Sequence, residues 1–156
     1  MILPIRVAGI IIKENNILLI HRVKNTQEYW VLPGGGLEDT DASEAEGLLR
    51  EIKEETCIDV NISKLIYTHD YGDNKGLYYL CNYIVGEPQL GESIEKERME
   101  KGNNDIYEPV WVPLDELSSI LLYPLEIRDW LTEDLKDNFT NTPRTQKLAT
   151  TDLRQN

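Results

Sequence analysis

The run Pro33-Gly34-Gly35-Gly36 constrains the fold more than any other part of the sequence, because regular structure rarely continues through a proline and three glycines. The chain before it contains three runs rich in β-branched and aliphatic residues, at residues 7–12, 17–22 and 29–32. After it, apolar residues recur from Ala45 to Thr56 at helical spacing, and Ser43 is the predicted N-cap. The sequence therefore predicts strands, a glycine loop and one long helix, in that order.

The rest of the chain predicts more strands and two short helices. Further β-rich runs occupy residues 60–71, 77–85 and 109–112, and helical patterns occupy residues 114–120 and 124–135. The polar, glycine-containing turn over residues 72–76 predicts a hairpin between the first two runs. From Thr140 onward the sequence is polar and aperiodic, which is typical of a mobile tail. We therefore predict one α/β domain over residues 1–139 and a polar C-terminal tail over residues 140–156.

The charge balance excludes several classes of partner. The 156 residues include 28 acidic and 16 basic side chains, for a net charge of −12. Such a chain is poorly suited to a long phosphate backbone, so we expect neither a long nucleic acid nor an anionic membrane as partner. A small anionic ligand stays open, because a bound divalent cation reverses the local field. No apolar run is long enough to span a bilayer, and Cys57 and Cys81 form no Cys-x-x-Cys pair, so we expect a cytoplasmic protein.

Four glutamates share one flank of the predicted helix, within a sector of roughly 100° that borders its apolar face. They are Glu44, Glu51, Glu54 and Glu55. Like charges three or four residues apart repel by a few tenths of a kcal/mol, and a hard cation such as Mg²⁺ or Mn²⁺ offsets that repulsion. A merely solvated acidic face is the alternative. The glycine run before the helix favours a phosphate or metal site, because glycines let backbone groups approach a ligand closely.

Residues 34–58, GGGLEDTDASEAEGLLREIKEETCI, resemble the signature of the Nudix hydrolases. That signature is Gly, five residues, Glu, seven residues, then Arg-Glu-aliphatic-x-Glu-Glu-x-Gly-aliphatic. Residues 50–55 match its second half, and residues 29–36 resemble the segment that usually precedes it. The order of predicted elements over residues 4–136 also resembles a Nudix domain. The resemblance implies an α/β/α sandwich with a mixed β-sheet.

Two positions depart from the signature. Its first glutamate falls at Asp41 when counted from Gly35 and at Ala42 when counted from Arg50, which indicates a one-residue insertion. Either Asp41 or Glu44 then stands in for that acid. Cys57 replaces the glycine after the glutamate pair, where a helix exit favours a left-handed backbone. Cysteine either carries strain of about 1 kcal/mol there or leaves the helix differently.

The resemblance also implies roles for individual residues. Glu51, Glu54 and Glu55, with a backbone carbonyl of Gly35 or Gly36, would bind one to three divalent ions, Mg²⁺ or Mn²⁺. Arg50 would orient these carboxylates; the alternative is an ordinary pair with Glu54 one helical turn away. Arg22 would contact a substrate phosphate, or would be a surface arginine. Gly34 and Gly36 complete the expected substrate-binding residues.

The general base and the base-stacking residues are less constrained. The base would be Glu51 or one acid of the loop that contains Glu92, Glu95, Glu97 and Glu100, with Glu97 the first choice. Trp30 and the tyrosines at positions 71, 78, 79 and 83 could stack on the nucleobase of a substrate or pack in the core. His21 and His69 have no partner at catalytic spacing, so we expect them to be structural.

By resemblance, the expected activity is metal-dependent hydrolysis of a nucleoside diphosphate linked to another group, with a nucleoside triphosphate as the first candidate. The attacking group would be a metal-activated water. A Nudix-fold isomerase of a small diphosphate is one alternative, although Cys81 has no clear partner motif. A non-catalytic nucleotide-sensing module is another, although the glutamate triplet is intact. The expected partner is a small nucleotide or other diphosphate, and a homodimer stays open.

Overall fold

The computed structural model describes residues 4–91 and 105–146. Within them, nine strands form one sheet: β1 Ile5–Lys13, β2 Asn16–Lys24, β3 Gln27–Val31, β4 Gly34–Gly36, β5 Asp59–Tyr71, β6 Asn74–Val85, β7 Ile106–Pro113, β8 Leu122–Tyr123 and β9 Arg144–Gln146. The helices are α1 Glu44–Thr56, α2 Leu125–Asp134 and a 3₁₀-helix over Leu114–Ser119. In this part of the chain, no helix combines the length and hydropathy needed to cross a bilayer.

The sheet is mixed and carries helices on both faces. Its strand order is β8-β3-β2-β1-β6-β5-β9, with β4 paired to β1 and β7 paired to β2. Strands β1 and β6 run parallel, whereas β1 and β2 form an antiparallel hairpin. Alternate residues of β1 contact opposite cores: Ile11 packs with α1, and Ile10 packs with α2. The predicted α/β class, with a mixed sheet between helical layers, is therefore confirmed.

Helix α1 begins and ends as its sequence predicts. The Ser43 Oγ accepts a hydrogen bond of 3.1 Å from the Glu46 backbone N–H, which is an N-cap. At the other end Cys57 adopts a left-handed backbone with φ of 61°, and its N–H donates to the Lys53 carbonyl at 3.0 Å. The cysteine thus keeps the helix exit that the signature glycine favours, at a strain of about 1 kcal/mol.

Replacing Cys57 with Gly should stabilise the protein, because glycine adopts the left-handed backbone without that strain. We expect the free energy of unfolding to rise by about 1 kcal/mol and Tm by about 2–4 °C. Differential scanning calorimetry on the reduced protein measures the shift. Cys57→Ala is the control, since alanine retains the Cβ; an equal gain in both variants would contradict this reading of the helix exit.

The buried face of α1 differs from the face that the sequence predicts. The sequence predicts a stripe of Ala45, Leu49, Ile52 and Thr56 flanked by Leu48. Leu48, Ile52 and Thr56 are buried, but Leu49 is 40% exposed and Glu55 is buried. The helix is rotated toward its acidic flank because Glu55 receives hydrogen bonds at the edge of the sheet. One glutamate of the acidic flank is therefore part of the helix–sheet interface.

Two further predictions need correction, and one strand was not predicted. Gly34–Gly36 was expected to be a loop but forms a short strand, in which a Cβ on Gly34 would lie 2.0 Å from the Val7 carbonyl oxygen. The sequence did not predict strand β8. Part of the expected mobile tail forms β9, which pairs with β5 and is tied to α2 by Arg144, whose Nη2 donates to Asp134 at 2.6 Å. Residues 147–156 lie outside the described part of the chain.

Candidate active site

Glu55 joins helix α1 to two strands. Its Oε1 accepts a hydrogen bond of 2.7 Å from the Gly34 backbone N–H, and its Oε2 accepts one from the Tyr107 hydroxyl. The side chain is buried, with 5% exposure. Burial raises the pKa of Glu55 to about 7, although the hydrogen bonds from Tyr107 and Gly34 oppose that rise. The carboxylate is thus held at one position beside strand β4.

The burial of Glu55 predicts an unusual pH dependence for the metal-free protein. Because its folded-state pKa of about 7 exceeds the ordinary 4.5, its contribution to stability is complete below about pH 4.5 and is lost as pH rises through 7. Glu55→Gln mimics the protonated form. In EDTA, its stability relative to wild type should therefore improve by up to about 3 kcal/mol between pH 5 and pH 8.

Urea unfolding at several pH values measures this difference. The control is Glu46→Gln on the exposed opposite flank of α1, for which the difference from wild type should stay nearly constant with pH. A constant difference for Glu55→Gln as well would contradict the raised pKa.

Gly35 makes room for the next glutamate of the motif. A Cβ at position 35 would lie 2.5 Å from the carboxylate carbon of Glu51, which no side chain tolerates without displacing that carboxylate. Burial raises the pKa of Glu51, and the hydrogen bond from Arg50 opposes the rise. A Cβ added at Gly36, in contrast, would lie in open space. The glycine strand and the acidic flank of α1 are therefore in direct contact at Gly35.

Arg50 binds the carboxylates around it, and its strongest contact is with Asp41. Its Nε and Nη2 donate to the two Asp41 oxygens at 2.9 Å each, and Nη1 donates to Glu51 at 3.0 Å. The contact with Glu54, the pair expected one turn away, is the longest hydrogen bond at 3.5 Å. Hydrogen bonds from Arg50 and from the Glu38 backbone lower the pKa of Asp41 to about 2. Arg50 thus lies where it can orient Glu51, as the resemblance implies.

Of the two acids that could stand in for the first signature glutamate, Asp41 is the one that contacts Arg50. Its Oδ2 accepts the Glu38 backbone N–H at 2.8 Å, so the same carboxylate supports both the loop and Arg50. Glu44, the other possibility, instead accepts a hydrogen bond of 3.2 Å from the Tyr79 hydroxyl. With one extra residue before it, Arg50 thus contacts both Asp41 and Glu51.

The donor chemistry of this flank fits a hard divalent cation. Glu51, Glu54 and Glu55 supply carboxylate oxygens, and no His or Cys joins them, which suits Mg²⁺ or Mn²⁺ rather than zinc. Among residues 4–91 and 105–146, no three acidic, His or Cys side chains already converge on one point. Glu51 and Glu54 both accept hydrogen bonds from Arg50. A cation there would bind the lone pairs of these carboxylates that Arg50 leaves free.

Arg22 lies beside this flank and packs on aromatic rings. It is directly opposite Tyr107 in the β2–β7 pairing, and its guanidinium carbon is 4.6 Å from that ring centroid and 5.7 Å from that of Tyr29. Its Nε is buried and has no hydrogen-bond partner within the described ranges. The guanidinium is thus fixed by stacking, with a donor that no described side chain satisfies.

A cavity of about 230 Å³ opens beside strand β4, on the face of the sheet opposite helix α1. It is lined by Arg6, Ala8, Val31, Leu32, Tyr78, Tyr123 and Pro124. Strand pairing places Arg6 opposite Gly36 and Ala8 opposite Gly34, so the cavity adjoins the glycine strand. The charge of Arg6 is also close enough to lower the pKa of Glu55 against the effect of burial. An apolar cavity with one arginine at its edge can hold a flat organic group that carries an anion.

Sequence reasoning missed two residues of this site. Arg6 carried a signal, because it is the single charged residue within the apolar run over residues 5–12. Tyr107 carried none, because its position beside Glu55 depends on the pairing of β7 with β2.

The remaining candidates lie away from the glutamates or outside the described residues. Glu97 and its neighbours Glu92, Glu95 and Glu100 lie in the range 92–104, which is not described. Trp30 stacks on His21 with ring centroids 5.0 Å apart, and the Tyr83 hydroxyl donates to the Gly86 carbonyl at 2.7 Å. Cys81 is buried, and burial raises the pKa of its thiol to about 12, which disfavours a role as thiolate.

A family model described as the NUDIX domain matches residues 3–133. The chain therefore belongs to the Nudix family, and the resemblance seen in residues 34–58 is confirmed. An ADP-ribose pyrophosphatase of Methanocaldococcus jannaschii is 34% identical over 107 residues, which are 64% of this chain and 63% of that protein. An 8-oxo-dGTP diphosphatase of Proteus vulgaris is 41% identical over 71 residues, which are 42% of this chain and 62% of that protein. The chain spans less than two thirds of each.

Solved structures of the family share the fold. A NUDIX hydrolase from Nitrosomonas europaea superposes with a TM-score of 0.71 at 18% identity, covering 94% of this chain and 77% of that one. An ADP-ribose pyrophosphatase from Streptococcus suis superposes with a TM-score of 0.65 at 22% identity, covering 92% of this chain and 98% of that one. At these identities the likeness concerns the fold alone.

Proposed function

We propose that the protein is a Mg²⁺-dependent pyrophosphohydrolase that cleaves the diphosphate linkage of a nucleotide, with Mn²⁺ able to replace Mg²⁺. The observation that carries the proposal is the contact of the glycine strand β4 with Glu51 and Glu55, next to two arginines that can bind phosphate. The names of the relatives, a pyrophosphatase and a diphosphatase, agree with this class of reaction. Two free thiols agree with action in a reducing cytoplasm.

In this proposal the carboxylates of Glu51, Glu54 and Glu55 and the carbonyl of Gly35 would hold the cation. The cation supplies charge neutralisation for the diphosphate and lowers the pKa of a bound water. Arg50 keeps Glu51 oriented through its bidentate contact with Asp41. Glu51, whose pKa is raised by burial, is the described candidate for accepting the proton of the attacking water, with Glu97 as the alternative.

The substrate would extend from the glutamates to the cavity. Arg6 pairs with Gly36 of strand β4, and Arg22 packs on Tyr107, which donates to Glu55, so both would supply positive charge for phosphate oxygens. The cavity beside Arg6 would take the nucleoside, because Tyr78 and Tyr123 provide rings on which a base can stack. Gly34 and Gly36 would be the substrate-binding residues of strand β4, between the glutamates and the cavity. A nucleoside triphosphate remains our first candidate, and a nucleoside diphosphate linked to a sugar is the second, as the archaeal relative's name favours.

A panel assay tests the proposal and separates the two substrates. The purified protein is incubated with the common nucleoside triphosphates, 8-oxo-dGTP, ADP-ribose and other nucleoside diphosphate sugars, each with Mg²⁺ or with EDTA. Chromatography identifies the products: a monophosphate with pyrophosphate, or a monophosphate with a sugar phosphate. We expect Mg²⁺-dependent turnover of at least one compound. Turnover that persists in EDTA, or nucleotide binding without any turnover, would contradict the proposal; the second result would favour a sensing module.

A further inference from the structure

Tyr107 makes two contacts that join different parts of the site. Its hydroxyl donates to Oε2 of Glu55, and its ring lies 4.6 Å from the guanidinium carbon of Arg22. The strand pairing places Tyr107 and Arg22 directly opposite each other, so both point to the face that carries helix α1. One side chain therefore contacts both a carboxylate of the acidic flank and Arg22, whose Nε is buried.

The hydrogen bond is compatible with metal binding by the same carboxylate. A carboxylate has about four lone-pair sites on its two oxygens. Gly34 and Tyr107 use one site on each oxygen of Glu55, so each oxygen keeps a second site for a cation. Hydrogen bonds of this kind orient a ligand and typically change metal affinity 10- to 100-fold.

The ring contact acts on a different group. Arg22 has a buried Nε with no hydrogen-bond partner among the described residues, so its position depends on packing. The Tyr107 ring is the closer of the two tyrosine rings that Arg22 contacts. Removing the ring would therefore free the guanidinium, whereas removing the hydroxyl alone would leave the stacking intact.

We propose that Tyr107 is a positioning residue that holds Glu55 for the divalent cation through its hydroxyl and Arg22 for the substrate phosphate through its ring. The inference rests on the proposed function, because it assigns the cation to Glu55 and the phosphate to Arg22. It goes beyond that proposal by predicting that two substitutions of one residue have separable effects.

The test compares Tyr107→Phe with Tyr107→Leu. For Tyr107→Phe we expect Mn²⁺ affinity, measured by electron paramagnetic resonance without substrate, to fall about 10- to 100-fold. Its KM for the nucleotide at saturating metal should stay within about twofold of wild type, since the ring remains. Tyr107→Leu should show the same loss of Mn²⁺ affinity and, in addition, a KM about two- to fivefold higher. Tyr107→Phe preserves the packing, so it keeps the test valid if the leucine variant is unstable.

Tyr79→Phe is the matched control, because it also removes a tyrosine hydroxyl that donates to a glutamate of α1, here Glu44 at the far end of the helix. Its Mn²⁺ affinity should equal that of wild type. Unchanged Mn²⁺ affinity in Tyr107→Phe, or an equal loss in both phenylalanine variants, would overturn the positioning role. Mn²⁺ binding that depends on Tyr107 in a protein that hydrolyses nothing would refute the proposed function while upholding the role toward Glu55. A wild-type protein that binds no Mn²⁺ would refute both.

Discussion

Glu54→Gln should lower kcat/KM at least about a hundredfold while leaving the fold intact. A charged metal ligand contributes several kcal/mol to transition-state stabilisation, and each 1.36 kcal/mol corresponds to about a factor of ten. The structural loss is small, because the Glu54 side chain is 46% exposed and its contact with Arg50 is 3.5 Å long. Tm should therefore stay within about 2 °C of wild type. Glu54 separates catalysis from stability better than Glu55, which is buried in the helix–sheet interface.

Steady-state kinetics on the best substrate of the panel measures this effect, with circular dichroism as the check on folding. Glu46→Gln is the matched control: the same change on the same helix, at an exposed position away from the glycine strand. It should keep wild-type kinetics. If Glu54→Gln retained more than a tenth of the wild-type kcat/KM, Glu54 would not be a metal ligand in the reaction.

Asp134→Ala should produce the largest loss of stability of any substitution considered. Asp134 is fully buried, and its oxygens accept hydrogen bonds from the Tyr67 hydroxyl at 2.5 Å and from Arg144 at 2.6 and 3.1 Å. The substitution leaves a buried hydroxyl and a guanidinium without their acceptor, at a cost of about 3–5 kcal/mol. Tm should fall by about 10 °C or more. The network lies on the α2 face of the sheet, opposite helix α1, so the kcat/KM of the folded fraction at low temperature should be near wild type.

Glu133→Ala is the control for this network. Glu133 also pairs with Arg144, at 3.0 Å, but its side chain is 66% exposed. An exposed pair contributes about 1 kcal/mol or less, so Tm should change by no more than a few degrees. Equal losses in the two variants, measured by calorimetry, would contradict the conclusion that burial of Asp134 anchors β9 to α2.

The sequence predicts the local parts of this fold well because they depend on residues close together in the chain. The cap at Ser43, the end of α1 at Thr56 and the hairpin from β5 to β6 all follow from spacing and turn composition. The same reasoning failed where tertiary contacts determine which side chains are buried. Helical period alone could not show that Glu55 is buried, since its burial depends on hydrogen bonds from β4 and β7.

The site was predicted unevenly for the same reason. The motif over residues 50–55 names three glutamates and Arg50 as one unit, because a helix keeps residues three and four apart on one flank. The sequence left two acids, Asp41 and Glu44, as possible substitutes for the first signature glutamate. It could not choose between them, because the contact of Asp41 with Arg50 depends on how the loop accommodates an extra residue. The sequence could not predict the position of Tyr107, because the pairing of two strands far apart in the chain places it opposite Arg22.

A crystal structure with Mn²⁺ and a nucleotide that cannot be hydrolysed tests the central claim most directly. Anomalous scattering locates Mn²⁺ without reference to the protein coordinates. We predict a peak within about 2.0–2.6 Å of carboxylate oxygens from at least two of Glu51, Glu54 and Glu55, next to the diphosphate of the nucleotide. A peak elsewhere on the protein, or a bound diphosphate remote from strand β4, would contradict the account.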